Sequence, residues 1–367
     1  MGPARVDTES LWCVSRGTMR FLLIPAAATC LLLGSRSSAE SQKPPKSVEL
    51  SGAPKCANCG LRLQEIAVLG NVANGPGRLE VGAYAYDPTR KLLYVRGGSR
   101  TEVNAYDVNG TLKFTVGFRD RRPPAGARDN SFAVGPGDSL WVLDPVQQRV
   151  TVYAAGTATA VRAFRVKTRI ERILPVPDGG FIGVATAANS PDHMLVHLFS
   201  AEGKPGQPIG AAGMTGRPAV ALSRKSGLAW IARTDSYTID QWSIDGKQVA
   251  SVHRVADWFS ADAIAKARKE HRSPPTITDI YEDDGGSLWV SGQKPDPTYR
   301  RPAKGAAPAS AEMLNVLEVL DVPSQRIEFA DEVSLPLHRV NNEYFVEPSV
   351  HGIVGKWRVV KVAMVKR

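Results

Sequence analysis

The sequence predicts an all-β fold: a six-bladed β-propeller whose last blade is closed by an N-terminal strand, with one helical insertion. Three observations carry this. The first is a repeated phrase, a short apolar run built on an aromatic or bulky residue and then a second strand ending in a polar turn. Leu93-Tyr94-Val95 leads to Tyr106-Asp107-Val108-Asn109-Gly110, and Leu140-Trp141-Val142 leads to Val152-Tyr153-Ala154-Ala155-Gly156. The phrase recurs around Ile182, Trp230, Trp289 and Phe345, which makes six copies. The second is spacing: from Tyr94 the copies follow at intervals of 47, 41, 48, 59 and 56 residues, the size of a four-stranded blade plus insertions. The third is an imbalance at the ends. The sixth copy runs out of chain after its third strand at 357–365, while the apolar segment 63–69 has no local partner. Pairing the two closes the ring and removes two exposed strand edges.

The blades follow in order. Blade one takes 82–86, 91–96, 102–107 and 112–116, with Asn109-Gly110 as a hairpin turn. Blade two takes 131–134, 139–143, 149–153 and 160–165, with a turn at Gly135-Pro136-Gly137-Asp138. Blades three, four and five begin near Arg172, Ala219 and Thr278, each marked by a Gly-containing turn before its second strand. Trp141, Trp230 and Trp289 in second strands, and Trp242 and Trp357 in third strands, are read as blade core. The two long intervals hold insertions. One, 256–271, contains a good helix former from Asp262 to Glu270, ended by Pro274-Pro275. The other, 295–310, is rich in Pro, Ala, Lys and Arg and reads as an excursion from blade five.

The N-terminus reads as an export signal over 1–39. An uninterrupted apolar run at 21–33 follows Arg16 and Arg20, and Ser37-Ser38-Ala39 supplies small residues for cleavage. A start at Met19 would give that signal a compact layout. The run is too short for a membrane span, so the mature chain is expected to have no transmembrane segment and to reach the periplasm or the extracellular space. Cys30 lies inside the run rather than at its end, which argues against a lipid anchor. Residues 40–60 read as a polar, flexible leader carrying Cys56 and Cys59, and 61–367 as the propeller. For that pair the order of readings is a local disulfide, then free thiols, then a metal or redox site. No second Cys pair completes a zinc site, and Gly60 stands where haem attachment would need His.

Composition sets outer bounds. Hydrophobic content of 43% and charged content of 22% are those of an ordinary globular chain. The formal charge is +10, and +8 once residues 1–39 are removed. The basic residues are scattered and no nucleic-acid motif accompanies them, so nucleic acid is not an expected partner.

The phrases around Tyr106–Gly110 and Trp242–Gly246, the stretch from Asp283 to Val290, and Leu69-Gly70 followed by Gly75-Pro76-Gly77 resemble the six-bladed TolB-like propellers, a group that includes NHL-repeat proteins. The helical insertion is similar to one in a bacterial exported subgroup of unknown function. The resemblance spans 61–367 and implies architecture; members of this superfold include enzymes, binders of carbohydrate or peptide, and interaction platforms.

Propeller sites lie near the starts of the innermost strands, where this chain offers Arg128, Asp129, Glu171, Arg172, Arg217, Asp279 and His338. A ring of Asp129, Glu171, Asp279 and His338 could hold a hard cation such as calcium. That would echo the calcium-dependent lactonases of similar fold, whose site takes a Glu, an Asn and an Asp from different blades. Arg and acid pairs at a channel rim more often neutralise one another. Arg128, Arg172, Arg217 and His338 also permit, without supporting, a quinone-dependent dehydrogenase. Trp258 and Tyr299, on the insertions, are candidates for a sugar platform. There is no Gly-x-Ser-x-Gly, no phosphate-binding loop and no His-Glu-x-x-His. The expected function is therefore a monomeric exported binding module for a protein, peptide or glycan, with a metal-dependent lactonase-type hydrolase as the alternative.

Overall fold

The computed structural model describes residues 45–70, 84–96, 102–117, 131–185, 194–212, 214, 217–223, 226–233, 235–299, 312–334, 336–348 and 357–366. The expected export signal and cleavage point, Arg128, Asp129 and residues 300–311 of the second insertion lie outside these residues. All that is described belongs to one compact unit, Pro44–Arg367.

Six separate sheets account for the strands, each a blade of four antiparallel strands, with one further parallel strand added to blade four. Blade one is Tyr84–Asp87, Leu92–Arg96, Glu102–Asp107 and Leu112–Gly117, running in that order from the inside outwards. Blade two is Ser131–Val134, Leu140–Asp144, Arg149–Tyr153 and Ala160–Arg165. Blade three is Arg172–Pro175, Phe181–Val184, Val196–Phe199 and Pro205–Ile209. Blade four is Val220–Leu222, Ala229–Ala232, Thr238–Trp242 and Gln248–Arg254. Blade five is Thr276–Glu282, Ser287–Pro295, Met313–Asp321 and Arg326–Val333. Blade six is His338–Arg339, Tyr344–Pro348 and Trp357–Lys366.

The second strands are buried along most or all of their length in these blades, because each sheet is covered on both faces by its neighbours. Their near-continuous apolar runs follow from that double coverage. Hydrophobic clusters sit at the blade interfaces. Phe132 and Val142 meet Tyr94 and Val103 between blades two and one, and Trp289 and Phe329 meet Phe345 and Val360 between blades five and six. The ring closes where Val346 and Trp357 of blade six pack on Leu93 and Val95 of blade one. Trp141, Trp230, Trp289 and Trp357 are all buried, as expected of blade core. At the hairpin end of blade one, Gly110 takes a φ of +85°, and Asp107 Oδ1 accepts from the Asn109 and Thr111 amides.

Closure follows the expected pairing and extends it. Cys59–Leu69 runs antiparallel to Trp357–Lys366 as the outer strand of blade six, with Leu69 opposite Trp357 and Leu63 opposite Val362. A disulfide joins Cys59, the first residue of this strand, to Cys56 just ahead of it. The leader departs from the sequence expectation. Lys46–Leu50 is a strand, added parallel to the outer strand of blade four, with Val48 opposite Val252. Val48 and Leu50 enter the core between blades four and five, while Ser47 and Glu49 face solvent. The Lys55 amide then donates to the Ile327 carbonyl on blade five at 2.8 Å. Residues 46–69 thus strap blades four, five and six together, so this part of the leader is not a free polar tether.

The insertion at 256–271 holds helix α1, Ala261–Lys269. Ser260 caps it by accepting from the Ala263 amide at 3.1 Å, and Lys266, Arg268 and Lys269 face the negative end of its dipole. Ile264 and Ala267 anchor it to the blade. Among the described residues no helix is long and apolar enough to cross a membrane.

Candidate functional site

Each blade begins with its innermost strand, so the first residues of those strands gather at one end of the ring axis. A cavity of about 760 Å³ lies there, lined from all six blades. Tyr84 comes from blade one, Ser131 from blade two, Arg172 from blade three, Asp279 from blade five and His338 from blade six. Glu171 and Arg217 enter from the segments that lead into blades three and four. Farther along the same strands the lining turns apolar, with Val134, Leu174, Pro175 and Leu222.

The polar groups form two sets. In the first, the Tyr84 hydroxyl donates to Asp279 Oδ2, and His338 Nδ1 lies 3.3 Å from the same oxygen. The Tyr84 and His338 rings are 5.3 Å apart between centroids. An ionised carboxylate only accepts, so Nδ1 carries the proton in this contact, and Nε2 is the acceptor in the neutral ring. Burial pushes the Asp279 carboxyl up. The His338 hydrogen bond and charge, the Arg172 charge and the Tyr84 hydroxyl outweigh burial and hold the group below its ordinary value. Burial, followed by the charge and hydrogen bond of Asp279, raises the Tyr84 phenol well above its ordinary value. In the second set, Arg217 pairs with Glu171 at 2.5 Å, an exposed arginine over a largely buried carboxylate.

Five residues nominated from the sequence therefore line one cavity: Glu171, Arg172, Arg217, Asp279 and His338. Asp279 and His338 are in contact, whereas Glu171 is engaged by Arg217. Among the described residues, no group of three or more His, Cys, Asp or Glu side chains is arranged to hold a metal ion. Asp129, the remaining member of the nominated cation ring, lies outside the described residues.

Trp258 and Tyr299 are not part of the cavity lining. Trp258 turns inward, edge-on to Tyr237 and Phe259 at centroid distances of 5.5 and 5.3 Å. Gly292 makes room for it, because a β-carbon there would fall 2.6 Å from the indole. Tyr299 is half-buried with the Arg272 guanidinium 5.8 Å from its ring centroid. Tyr84 was not among the residues nominated from the sequence. Its only signal was a tyrosine at an innermost strand, a position that reads equally well as packing. Arg339, next to His338, is structural. Its guanidinium lies 3.8 Å from the Trp289 ring centroid and donates to the Asn341 and Asn342 carbonyls.

A scan against protein-family models and a search of curated proteins each find no match. Solved structures do match. A protein of Bacteroides fragilis described as exported aligns with a TM-score of 0.55 at 11% identity, over 87% of this chain and 99% of that one. A member of the DUF4221 family from Bacteroides vulgatus aligns with a TM-score of 0.53 at 10% identity, over 84% and 99%. At these identities the likeness is one of fold, and with the closed ring of six four-stranded blades it makes the chain a six-bladed β-propeller.

Proposed function

We propose that this chain is an exported recognition module that takes a small ligand, or the end of a peptide or glycan, into its central cavity. The observation that carries this reading is the convergence of polar side chains from five blades, and of Arg217 from the segment leading into the remaining one, on one cavity of about 760 Å³. That volume falls within the roughly 300–1,000 Å³ of small-molecule sites. The lining acids support recognition over hydrolysis. Asp279 is held by Tyr84 and His338, and Glu171 by Arg217, so each acts as a fixed charge for orienting a ligand. Export is supported by the apolar run at 21–33 with its basic flank, and by the disulfide between Cys56 and Cys59, which suits an oxidising compartment.

The test is calorimetry against peptide and glycan panels, run on the mature protein and on His338→Ala and Arg217→Glu. A ligand bound by the parent, weakened at least about tenfold by either change, is expected for a lost charged hydrogen bond. A ligand that binds both variants as well as the parent places recognition elsewhere on the molecule. Failure of both panels to bind overturns the reading.

A further inference from the structure

The cavity lining is unevenly charged. It presents Arg96, Arg172, Arg217 and Arg339 against two acids, Glu171 and Asp279. Most of these charges have protein partners. Glu171 holds Arg217, and Asp279 holds His338 and Tyr84. Arg339 is bound by two carbonyls and an aromatic wall, and Arg96 has interactions of its own. Arg172 differs: among the described residues its guanidinium has no hydrogen bond and no ion pair, and it senses Asp279 and Tyr84 only through its charge. Arg172 is half-buried and its guanidinium is not shut away from the cavity, so its donors are open to whatever enters there.

From this we infer that the ligand of the proposed recognition site carries a carboxylate, which Arg172 holds in a forked pair at the polar end of the cavity. The planar guanidinium matches a carboxylate through two parallel hydrogen bonds. Asp279 decides between a carboxylate and a more highly charged anion. Its charge, within the field of Arg172, disfavours the second charge of a phosphate dianion more than the single charge of a carboxylate. The apolar lining of Val134, Leu174, Pro175 and Leu222 then suits a ligand whose body is apolar behind its carboxylate. A free peptide C-terminus and a small apolar acid share this chemistry. His338 Nε2, left over by the Asp279 contact, is available to a donor on the same ligand.

This inference rests on the recognition reading, and the experiment separates the two. Calorimetry uses two matched pairs of probes: acetyl-Leu-Leu and its C-terminal amide, and phenylacetate and phenylacetamide. The expected result is that the acid of at least one pair binds, its amide binds at least about tenfold more weakly, and Arg172→Gln brings the acid down to the level of the amide. Whichever pair responds identifies the source of the carboxylate. Arg172→Lys, which keeps the charge but loses the fork, should fall in between. Far-ultraviolet circular dichroism on heating confirms that each variant still melts cooperatively. Equal binding of acid and amide, or an acid indifferent to Arg172→Gln, overturns the carboxylate. So does the absence of binding by both acids while a neutral peptide or glycan from the wider panels binds, an outcome that leaves recognition standing. If nothing in either experiment binds, both readings fail.

Discussion

Asp279 on blade five accepts a hydrogen bond from Tyr84 on blade one and lies 3.3 Å from His338 Nδ1 on blade six. Tyr84 and Asp279 are 195 positions apart in sequence. They meet only because the ring closes, so this contact reports closure as well as shaping the cavity. It also joins three blades around one buried negative charge, which low dielectric makes costly to leave unpaired.

The first prediction concerns acid. The Asp279 carboxyl is depressed in the folded chain relative to its ordinary value of 3.8. A depressed acid contributes stability that is present above the unfolded value and lost as pH falls through the folded one. Asp279→Asn keeps an acceptor for Tyr84 but loses the charge. At pH 7 it should be less stable by about 1–3 kcal/mol, the worth of charge-assisted hydrogen bonds. Below the ordinary value the gap should narrow, because the parent loses the same charge by protonation. Urea denaturation from pH 7 to pH 3 measures both. Other depressed carboxyls, such as Asp107 and Asp321, titrate in parent and variant alike and cancel in the difference. A gap that stays constant with pH would show that the Asp279 charge is not the source.

The second prediction concerns the strap. Leu50 and Val48 are buried between blades four and five, whereas Glu49 faces solvent. Leu50→Ala should cost about 2–5 kcal/mol, the range for a truncated core leucine, and Glu49→Ala close to nothing. Denaturant midpoints of the two variants check this. If residues 46–50 were a loose tether, both changes would be silent.

How much of this was legible in sequence depends on where each partner lies. The blades were readable because each strand pairs with the next across a short turn, and the turns carry glycine, proline or aspartate. Blade two, for example, matches its expected strands to within a residue. Lys46–Leu50 was missed for the opposite reason. It has only two apolar residues, and its partner strand lies about two hundred positions downstream with no turn to announce it. The closing strand was found because an unpaired apolar segment and an incomplete blade called for one another. At the site, charged residues at the starts of innermost strands were visible as chemistry. Tyr84 was not, since a tyrosine in an apolar strand looks like core until its hydroxyl meets a carboxylate.

The third prediction tests the place of Trp258. Its indole occupies space that only glycine at position 292 leaves open. Gly292→Ala should force the ring or the strand to shift and destabilise by about 1–3 kcal/mol, as overpacking does. A displaced indole also becomes wetter, so its fluorescence should move to longer wavelength. A sugar platform facing solvent would give neither effect. An unchanged emission maximum and melting point in the variant would therefore return Trp258 to the surface.

The last prediction concerns calcium. A hard cation needs several oxygen ligands with little competing positive charge. Of the nominated donors, Asp279 is already engaged by Tyr84 and His338, and Arg172 adds positive charge nearby. Glu171 is engaged by Arg217. A cation at this end of the cavity would have to displace His338, separate Glu171 from Arg217 and sit within the field of Arg172. Millimolar calcium should therefore leave the melting temperature of the protein unchanged, and a chelator should do the same. The informative contrast is Asp279→Asn. If calcium raised the melting temperature of the parent but not of this variant, Asp279 would be a ligand after all. The nominated ring would then have to be completed through Asp129, with the Tyr84 and His338 contacts giving way when the ion arrives.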